Sequence, residues 1–274
     1  TILFLFAAIA MVVGAKAQQQ TATLQRGNST TYYYGEDAFK EAYNAANDGS
    51  VITLSAGYFN TVDSVMKQIT VRGNGYTGEK TVIGKKQYEG IGTYSLVVCA
   101  DNVNLEGLFF EKGVRINQDL KNLFIKRSYV ESFVCPGSTT NQNTIIENCK
   151  VGLISSPKMT NFCIKNSYID HLAGVYTSSS ALLLNTIVGG YMAAVFSYRN
   201  CIINATAWDH LRFSDSQEYI DNVFFYGVTS HYGIDGATVS IDESTRYSTP
   251  TLPDIETSNF KGNSVALFDD IFNY

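Results

Sequence analysis

Histidine, tryptophan and arginine are concentrated in one stretch of the chain where their chemistry could be combined. All three histidines and the only tryptophan lie between positions 171 and 231. A tryptophan ring can stack on the C–H face of a sugar, while arginine and aspartate can hydrogen-bond hydroxyl or carboxylate groups. The stretch therefore predicts glycan binding, although these residues could instead be scattered over an outer face with Trp208 packed inward. The candidate binding residues are Tyr176, Trp208, Asp209, His210, Arg212 and His231, with Asp170, His171 and Tyr232 nearby.

A repeat of about 20 residues would bring these distant positions together. Its template is two apolar residues, a polar residue, Asn, a small residue, any residue and an apolar residue. The alternating apolar positions, rich in β-branched and aromatic types, predict two short strands that meet at a bend. Such a unit cannot bury its own apolar face, so copies must stack as a solenoid, which brings four coils within about 15 Å. The Asn position is occupied, at spacings of 15 to 22 residues, by Gly107, Arg127, Asn148, Asn166, Asn185, Asn200 and Asn222.

Stacking predicts two columns of side chains at the bend. The amides of Asn148, Asn166, Asn185, Asn200 and Asn222 would lie about 4.8 Å apart and hydrogen-bond one another as an Asn ladder. The residue that follows each bend position is small and is expected to point inward. Cys149 and Cys201 would then be buried packing residues, since three coils separate them and a disulfide could not span that distance. The small residues are Ser128, Cys149, Ser167, Thr186 and Cys201.

The chain divides into a capped solenoid with flanking segments. Apolar residues at helical spacing predict a capping helix within residues 36–50, because an open solenoid end would expose unpaired strand edges. Residues 18–35 are expected to be a flexible N-terminal segment, and residues 51–232 the parallel β-helix. Residues 233–274 are expected to form a C-terminal loop and an end-capping segment. The helix carries Ala38, Phe39, Ala42, Tyr43 and Ala46 on its apolar side.

The coil segments resemble those of a known family. The leucine-rich repeat has a similar period, but its L-x-x-L-x-L signature and its helix per repeat are missing here. The segment Gly49–Tyr58 resembles the opening strand of pectin-lyase-like proteins, and Ile69–Gly75, Lys80–Ile83, Val97–Val98 and Asn102–Phe110 resemble the coils that follow it. The resemblance covers about residues 36–226. It implies an all-β fold with one right-handed parallel β-helix, three strands per coil, and mostly carbohydrate-directed activities.

No catalytic set of that family is recognisable in the sequence. A lyase needs a base beside the sugar and often Ca²⁺ on an Asp cluster, and a hydrolase needs two carboxylates that face one bond. Polygalacturonase-like Asn-Thr-Asp, Gly-His-Gly and Arg-Ile-Lys sets are missing, as are the two stretches that mark the family's esterases. The pair Asp269–Asp270 lies outside the repeats and is expected to be solvated. The sequence therefore identifies no catalytic residue, so these stay unknown, and it leans against an enzyme. It predicts no metal and no cofactor, with Ca²⁺ expected only if the protein is a lyase.

Composition and the N-terminal segment bound the remaining possibilities. With 45% hydrophobic residues, 16% charged residues and a net charge of −5, the chain is neither a disordered protein nor a basic nucleic-acid binder. The apolar run Ile2–Gly14, followed by Ala15-Lys16-Ala17, predicts a secretory signal peptide over residues 1–17. That run is too short to span a bilayer, which takes about 20 residues. The protein is thus expected to be secreted, periplasmic or on the cell surface. The family resemblance implies a bacterial type, and the protein is also expected to be a monomer.

Three functions are compatible with these features. The first is a secreted or surface β-helix that binds glycan without catalysis. The second is a divergent polysaccharide lyase or hydrolase that acts on acidic plant-type or host glycans. The third is a structural or adhesive solenoid whose partner is a protein.

Overall fold

Short strands separated by tight bends follow one another along the chain, as the alternating apolar residues predict. The computed structural model describes residues 19–137, 139–155, 159–175, 181–189, 192–194, 197–204 and 220–226. The predicted signal peptide over 1–17 and the C-terminal segment over 233–274 lie outside these residues. The one helix in the described part is α1, Ala38–Ala45.

The strands of the N-terminal half are β1 (Thr21–Arg26), β2 (Ser29–Tyr34), β3 (Val51–Leu54), β4 (Gly57–Phe59), β5 (Thr70–Arg72), β6 (Thr81–Ile83), β7 (Lys86–Tyr88), β8 (Gly92–Tyr94), β9 (Leu96–Val98), β10 (Asn104–Glu106), β11 (Phe109–Phe110), β12 (Val114–Ile116) and β13 (Leu120–Lys121). Those that follow are β14 (Phe124–Lys126), β15 (Tyr129–Val134), β16 (Asn141–Gln142), β17 (Ile145–Glu147), β18 (Lys150–Ser155), β19 (Met159–Thr160), β20 (Phe162–Lys165), β21 (Tyr168–Val175), β22 (Ala181–Leu184), β23 (Ile187–Val188), β24 (Met192–Ala194), β25 (Ser197–Asn204) and β26 (Ile220–Tyr226).

Parallel pairing between successive coils makes the chain a parallel β-helix, as predicted. The strands of the coils form three faces, and the first coil reaches the third face only through the single bridge between Val65 and Val98. The first face runs from β3 through β5, β10, β14, β17, β20, β22 and β25 to β26. The second runs from β4 through β6, β11, the first residues of β15, β18 and β21, and β23 to the last residues of β25 and β26. The third runs from β9 through β12 and the last residues of β15, β18 and β21 to β24.

Alternate residues of these strands point inward and form one continuous apolar core. On the second face the inward column is fully buried, and each of its aliphatic side chains contributes about 1.5–3 kcal/mol by leaving water. A coil has too few residues to enclose a core by itself, so this burial requires the stack. The column consists of Phe110, Val130, Val151, Ile169 and Val188.

The prediction that residues 18–35 are flexible is wrong over the described residues. Strands β1 and β2 form an antiparallel hairpin around the two-residue turn Gly27-Asn28, and β1 also pairs antiparallel with β3. The physical reason is that Ala22 and Leu24 alternate with polar residues and are fully buried against the first coil. The hairpin therefore extends the first face beyond β3.

Helix α1 lies where a capping helix was predicted, although it is shorter than residues 36–50. Its buried side chains Ala38, Phe39, Ala42 and Tyr43 belong to the same core as the coils. Asn47 and Gly49 follow its end, and Gly49 adopts a left-handed φ of 80° that turns the chain into β3. The helix and the hairpin thus cover the apolar core at the N-terminal end of the solenoid.

The column of small residues is confirmed. Ser128, Cys149, Ser167, Thr186 and Cys201 are all buried, and both cysteines are free thiols. Ser167 shows how the column binds neighbouring coils: its Oγ accepts from the backbone N–H of Cys149 at 3.1 Å and donates to the carbonyl of Lys165 at 2.8 Å. Burial raises the pKa of the Cys149 thiol to about 11, so the thiol remains neutral and donates to the Glu147 carbonyl.

Charges of alternating sign form a second regular column, on the solvent side of the first face. Glu106 lies between Arg72 and Arg127, with carboxylate-to-guanidinium distances of 3.5 and 3.2 Å. Glu147 lies between Lys165 at 3.0 Å and Lys126 at 3.6 Å. Cross-strand pairs of opposite charge stabilise a sheet, so these pairs favour the observed register.

Replacing Glu147 with glutamine is expected to destabilise the protein by about 1 kcal/mol near neutral pH, because the pairs are partly exposed to solvent. The hydrogen bond from Lys165 is the main cause that lowers the pKa of Glu147. A lowered pKa contributes stability above the ordinary value of about 4.3, and this contribution is lost as the pH falls through the folded-state value. Urea unfolding across the acid range should show the variant and the parent converging below about pH 4.

The control is Glu89→Gln, which alters an exposed carboxylate that makes no ion pair within the described residues. A pH-independent difference between the Glu147 variant and the parent would contradict the role given to the ion pairs.

Candidate functional site

The predicted glycan-binding residues are not tested by the structure. Tyr176, Trp208, Asp209, His210, Arg212 and His231 all lie outside the described residues, as does Tyr232.

Two neighbouring candidates, Asp170 and His171, are in β21. Asp170 is half-buried and its carboxylate is hydrogen-bonded by the Tyr168 side chain. His171 is exposed and lies in register with Leu153 of the preceding coil.

The bend asparagines have the backbone conformation that their position requires. Asn148, Asn166 and Asn185 have left-handed φ values of 53°, 50° and 48°, which asparagine tolerates better than other non-glycine residues. The Nδ2 of Asn185 donates to Oδ1 of Asn166 at 3.1 Å, which is the rung expected of the ladder. Asn200 and Asn222 occur in the paired strands β25 and β26, and their side chains lie outside the described set.

A second amide ladder was not predicted. It lies at the bend that leads into the first face, where Asn102, Asn122, Asn143 and Asn161 have φ values of 54° to 59°. Each amide donates to the one before it, at 2.7 Å from Asn122 and at 3.0 Å from both Asn143 and Asn161. Each of these asparagines precedes a template position by five residues, and this constant offset is the signal that could have revealed the ladder.

The solvent side of the second face contains an aromatic column. We use this name for seven residues in register across successive coils. Phe109 and Tyr129 are stacked with ring centroids 4.5 Å apart and planes 12° apart. Lys80 Nζ lies 4.0 Å from the Phe109 ring centroid, and Lys150 Nζ lies 5.6 Å from that of Tyr168. The column consists of Tyr58, Val82, Phe109, Tyr129, Lys150, Tyr168 and Ile187.

An open groove of about 540 Å³ lies where the aromatic column meets the bend between the first and second faces. Its wall combines exposed amides, the rings of Tyr76 and Tyr168, and the ammonium group of Lys150. Tyr76 comes from the loop between β5 and β6, and the other groups come from three successive coils. The lining residues are Tyr76, Asn148, Cys149, Lys150, Asn166, Ser167, Tyr168, Asn185 and Ile187.

Carboxylates beside the aromatic column are paired with lysines. Glu111 Oε1 lies 2.9 Å from Lys85 Nζ, and its other oxygen accepts a hydrogen bond from the Tyr58 hydroxyl at 3.3 Å. The hydrogen bond from Lys85 lowers the pKa of Glu111. Glu131 pairs with Lys112 at 3.2 Å. A glutamate with a lowered pKa is a poor proton donor at neutral pH, so Glu111 is better suited to ordering lysine side chains than to acid catalysis.

The charge near the groove belongs to a lysine and not to a lysine–glutamate pair. Within the described part of the chain, Lys150 makes no ion pair, and its ammonium group is exposed beside the Tyr168 ring. Burial, followed by the hydrogen bond to Asp170, raises the pKa of Tyr168, so its hydroxyl stays protonated. The groove therefore presents a positive charge and neutral hydrogen-bonding groups.

Neither a metal cluster nor a membrane-spanning helix occurs among the described residues. No three of their His, Cys, Asp or Glu side chains are grouped so that they could hold a metal ion. The short helix of this region is neither long nor apolar enough to cross a membrane.

The chain matched no protein-family model, no curated protein and no solved structure.

Proposed function

We propose that the protein is a secreted or cell-surface β-helix that binds glycan chains without cleaving them. The observation that carries this proposal is the aromatic column with the open groove at its end. Together they place rings, amides and the exposed ammonium group of Lys150 on one solvent-facing strip of the solenoid.

The chemistry of this strip suits a sugar chain. Tyrosine rings can pack against the C–H faces of pyranose rings, and side-chain amides both donate to and accept from hydroxyl groups. The coils repeat about every 4.8 Å, so a chain of sugars that lies along the axis would meet a further side chain of the aromatic column at each coil. Regular spacing of this kind favours a polymer over a small molecule.

The charge of the groove favours an acidic glycan. Lys150 can pair with a uronate carboxylate, while Asn148, Asn166 and Asn185 line the same groove and bond hydroxyl groups. The ion pairs of Glu111 and Glu131 with lysines reduce the negative charge that would otherwise repel such a ligand. The resemblance of the coils to pectin-lyase-like proteins supports the same class of ligand, and residues 171–232 remain a second candidate region.

The test is binding of the purified chain to a panel of acidic and neutral polysaccharides, with and without Ca²⁺. We expect retention on at least one acidic polysaccharide with no new chain ends. Unsaturated ends that absorb in the ultraviolet, or new reducing ends, would show a lyase or a hydrolase and would overturn the non-catalytic proposal. A lack of retention on every glycan would favour the structural or adhesive role.

A further inference from the structure

Strand β2 is the outermost described strand of the first face. It pairs with β1 on one side, and no strand in the described part of the chain pairs with its other side. An open edge of this kind exposes a row of unpaired backbone N–H and C=O groups that can template the addition of another strand.

The hairpin register shows which backbone groups point outward. The N–H of Gly35 bonds to the carbonyl of Gln20 at 2.8 Å, so Gly35 and every second residue before it face β1. Thr30, Tyr32 and Tyr34 therefore direct their N–H and C=O groups to the open edge. Their side chains are exposed, and Tyr32 and Tyr34 are each 58% exposed.

The sequence of this edge has none of the features that usually block strand addition. The strand Ser29–Tyr34 contains no charge and no proline, and it consists of Ser, Thr and Tyr, of which Thr and Tyr favour β-structure. Two of the five exposed large hydrophobic side chains of the described chain are on this strand. Such an edge normally needs protection, and the neighbouring helix α1 supplies no strand to pair with it.

We propose that β2 pairs antiparallel with β2 of a second copy, so that two solenoids join end to end across a two-fold axis at Tyr32. This arrangement is self-complementary: Tyr32 faces Tyr32 of the second copy, and Thr30 faces Tyr34. All three residues present their backbone groups to the edge, so the pairing forms about six main-chain hydrogen bonds. The two first faces become one continuous sheet, and this replaces the expectation of a monomer.

Charge favours the antiparallel orientation. Arg26 lies across the hairpin from Ser29, near one end of β2, and Glu36 follows the other end. An antiparallel pair brings Glu36 of each copy toward the Arg26 end of the other, whereas a parallel pair would bring like charges together. The uncharged strand between them contributes no repulsion across the axis.

Cysteine crosslinking tests the register. At the two-fold axis the Cα atoms of a pair are about 5.5 Å apart, which a disulfide can span. We expect Tyr32→Cys to form a covalent dimer under mild oxidation. The matched variant Thr30→Cys should remain uncrosslinked, because its two copies would lie more than about 10 Å apart. Equal crosslinking of both variants, or of neither, would overturn the proposal.

Sedimentation velocity over a range of concentrations tests the interface without added cysteines. We expect a dimer for the parent and at least about tenfold weaker association for Tyr32→Lys, which places like charges opposite each other. The control Met66→Lys changes a 63% exposed side chain outside β2 and should dimerise like the parent. A parent that is monomeric at every concentration, or a dimer that Tyr32→Lys leaves intact, would contradict the proposal. Circular dichroism of each variant verifies that it is folded, and none of these results depends on glycan binding.

Discussion

Replacing Gly113 with alanine is expected to destabilise the protein by about 3 kcal/mol or more, a large effect for the addition of one methyl group. Gly113 precedes β12 and has a φ of 118°, a conformation that side chains disfavour. A Cβ there would collide with the Ser132 carbonyl oxygen and lie 2.7 Å from the Ser132 nitrogen. Both atoms are backbone of the next coil, so relief requires β12 and β15 to separate. Urea or thermal unfolding followed by circular dichroism measures the loss.

Gly90→Ala is the matched control for this substitution. Gly90 also has a positive φ, of 68°, but a Cβ there would meet no atom within 4 Å. Only the backbone strain remains, and it costs about 1 kcal/mol. Equal destabilisation by the two variants would show that strain alone matters at Gly113 and that the coils are not in tight contact there.

The stacked coils could be predicted from the sequence because the bend imposes a strict local requirement. The left-handed conformation at this bend suits asparagine and glycine, and other residues adopt it only where neighbouring groups hold them in place. Asn148, Asn166 and Asn185 therefore recur at nearly constant spacing. The small residues that follow them were predictable for a related reason, since a larger side chain would not fit beneath the bend. The period and the inward direction of these residues are both local properties of the chain.

The aromatic column was not predicted because its existence depends on register between coils. Phe109 and Phe110 are adjacent and of the same type, yet Phe110 is fully buried and Phe109 lies in the outward column. Their residue type cannot distinguish them, and a shift of the strand register by one residue would turn Phe109 inward and Phe110 outward. Lys150 gains its place beside Tyr168 only when β18 pairs with β21 in the observed register.

The hairpin β1–β2 was missed for a different reason. Its residues are mostly threonine, tyrosine and glutamine, and its strands become stable only when Ala22 and Leu24 reach the core of the first coil. The turn Gly27-Asn28 is short and carries a positive φ of 55° at Gly27, which is typical of a hairpin. A polar segment that follows an expected cleavage site favours a prediction of flexibility, although the alternation of apolar and polar residues within it already favours a strand.

Replacing Tyr168 with alanine is expected to weaken glycan binding by about 30-fold, which corresponds to about 2 kcal/mol, the loss typical of an aromatic anchor. The Tyr168 ring belongs to both the aromatic column and the groove, and the Lys150 ammonium group lies 5.6 Å from its centroid. Truncation removes the ring, which is both the surface on which a sugar would stack and the group beside which Lys150 lies. Isothermal titration with the best ligand of the polysaccharide panel measures the change.

Two control variants separate loss of the ring from other effects. Tyr168→Phe keeps the ring and removes the hydroxyl that bonds Asp170, so binding should fall by less than about threefold if stacking dominates. Phe124→Ala truncates a half-buried ring on the outer side of the first face, beside Lys126, and should leave binding unchanged. If Phe124→Ala weakened binding as much as Tyr168→Ala, the second face would not be the binding surface. If Tyr168→Phe lost as much affinity as Tyr168→Ala, the hydroxyl group would be the anchor and the stacking argument would be wrong.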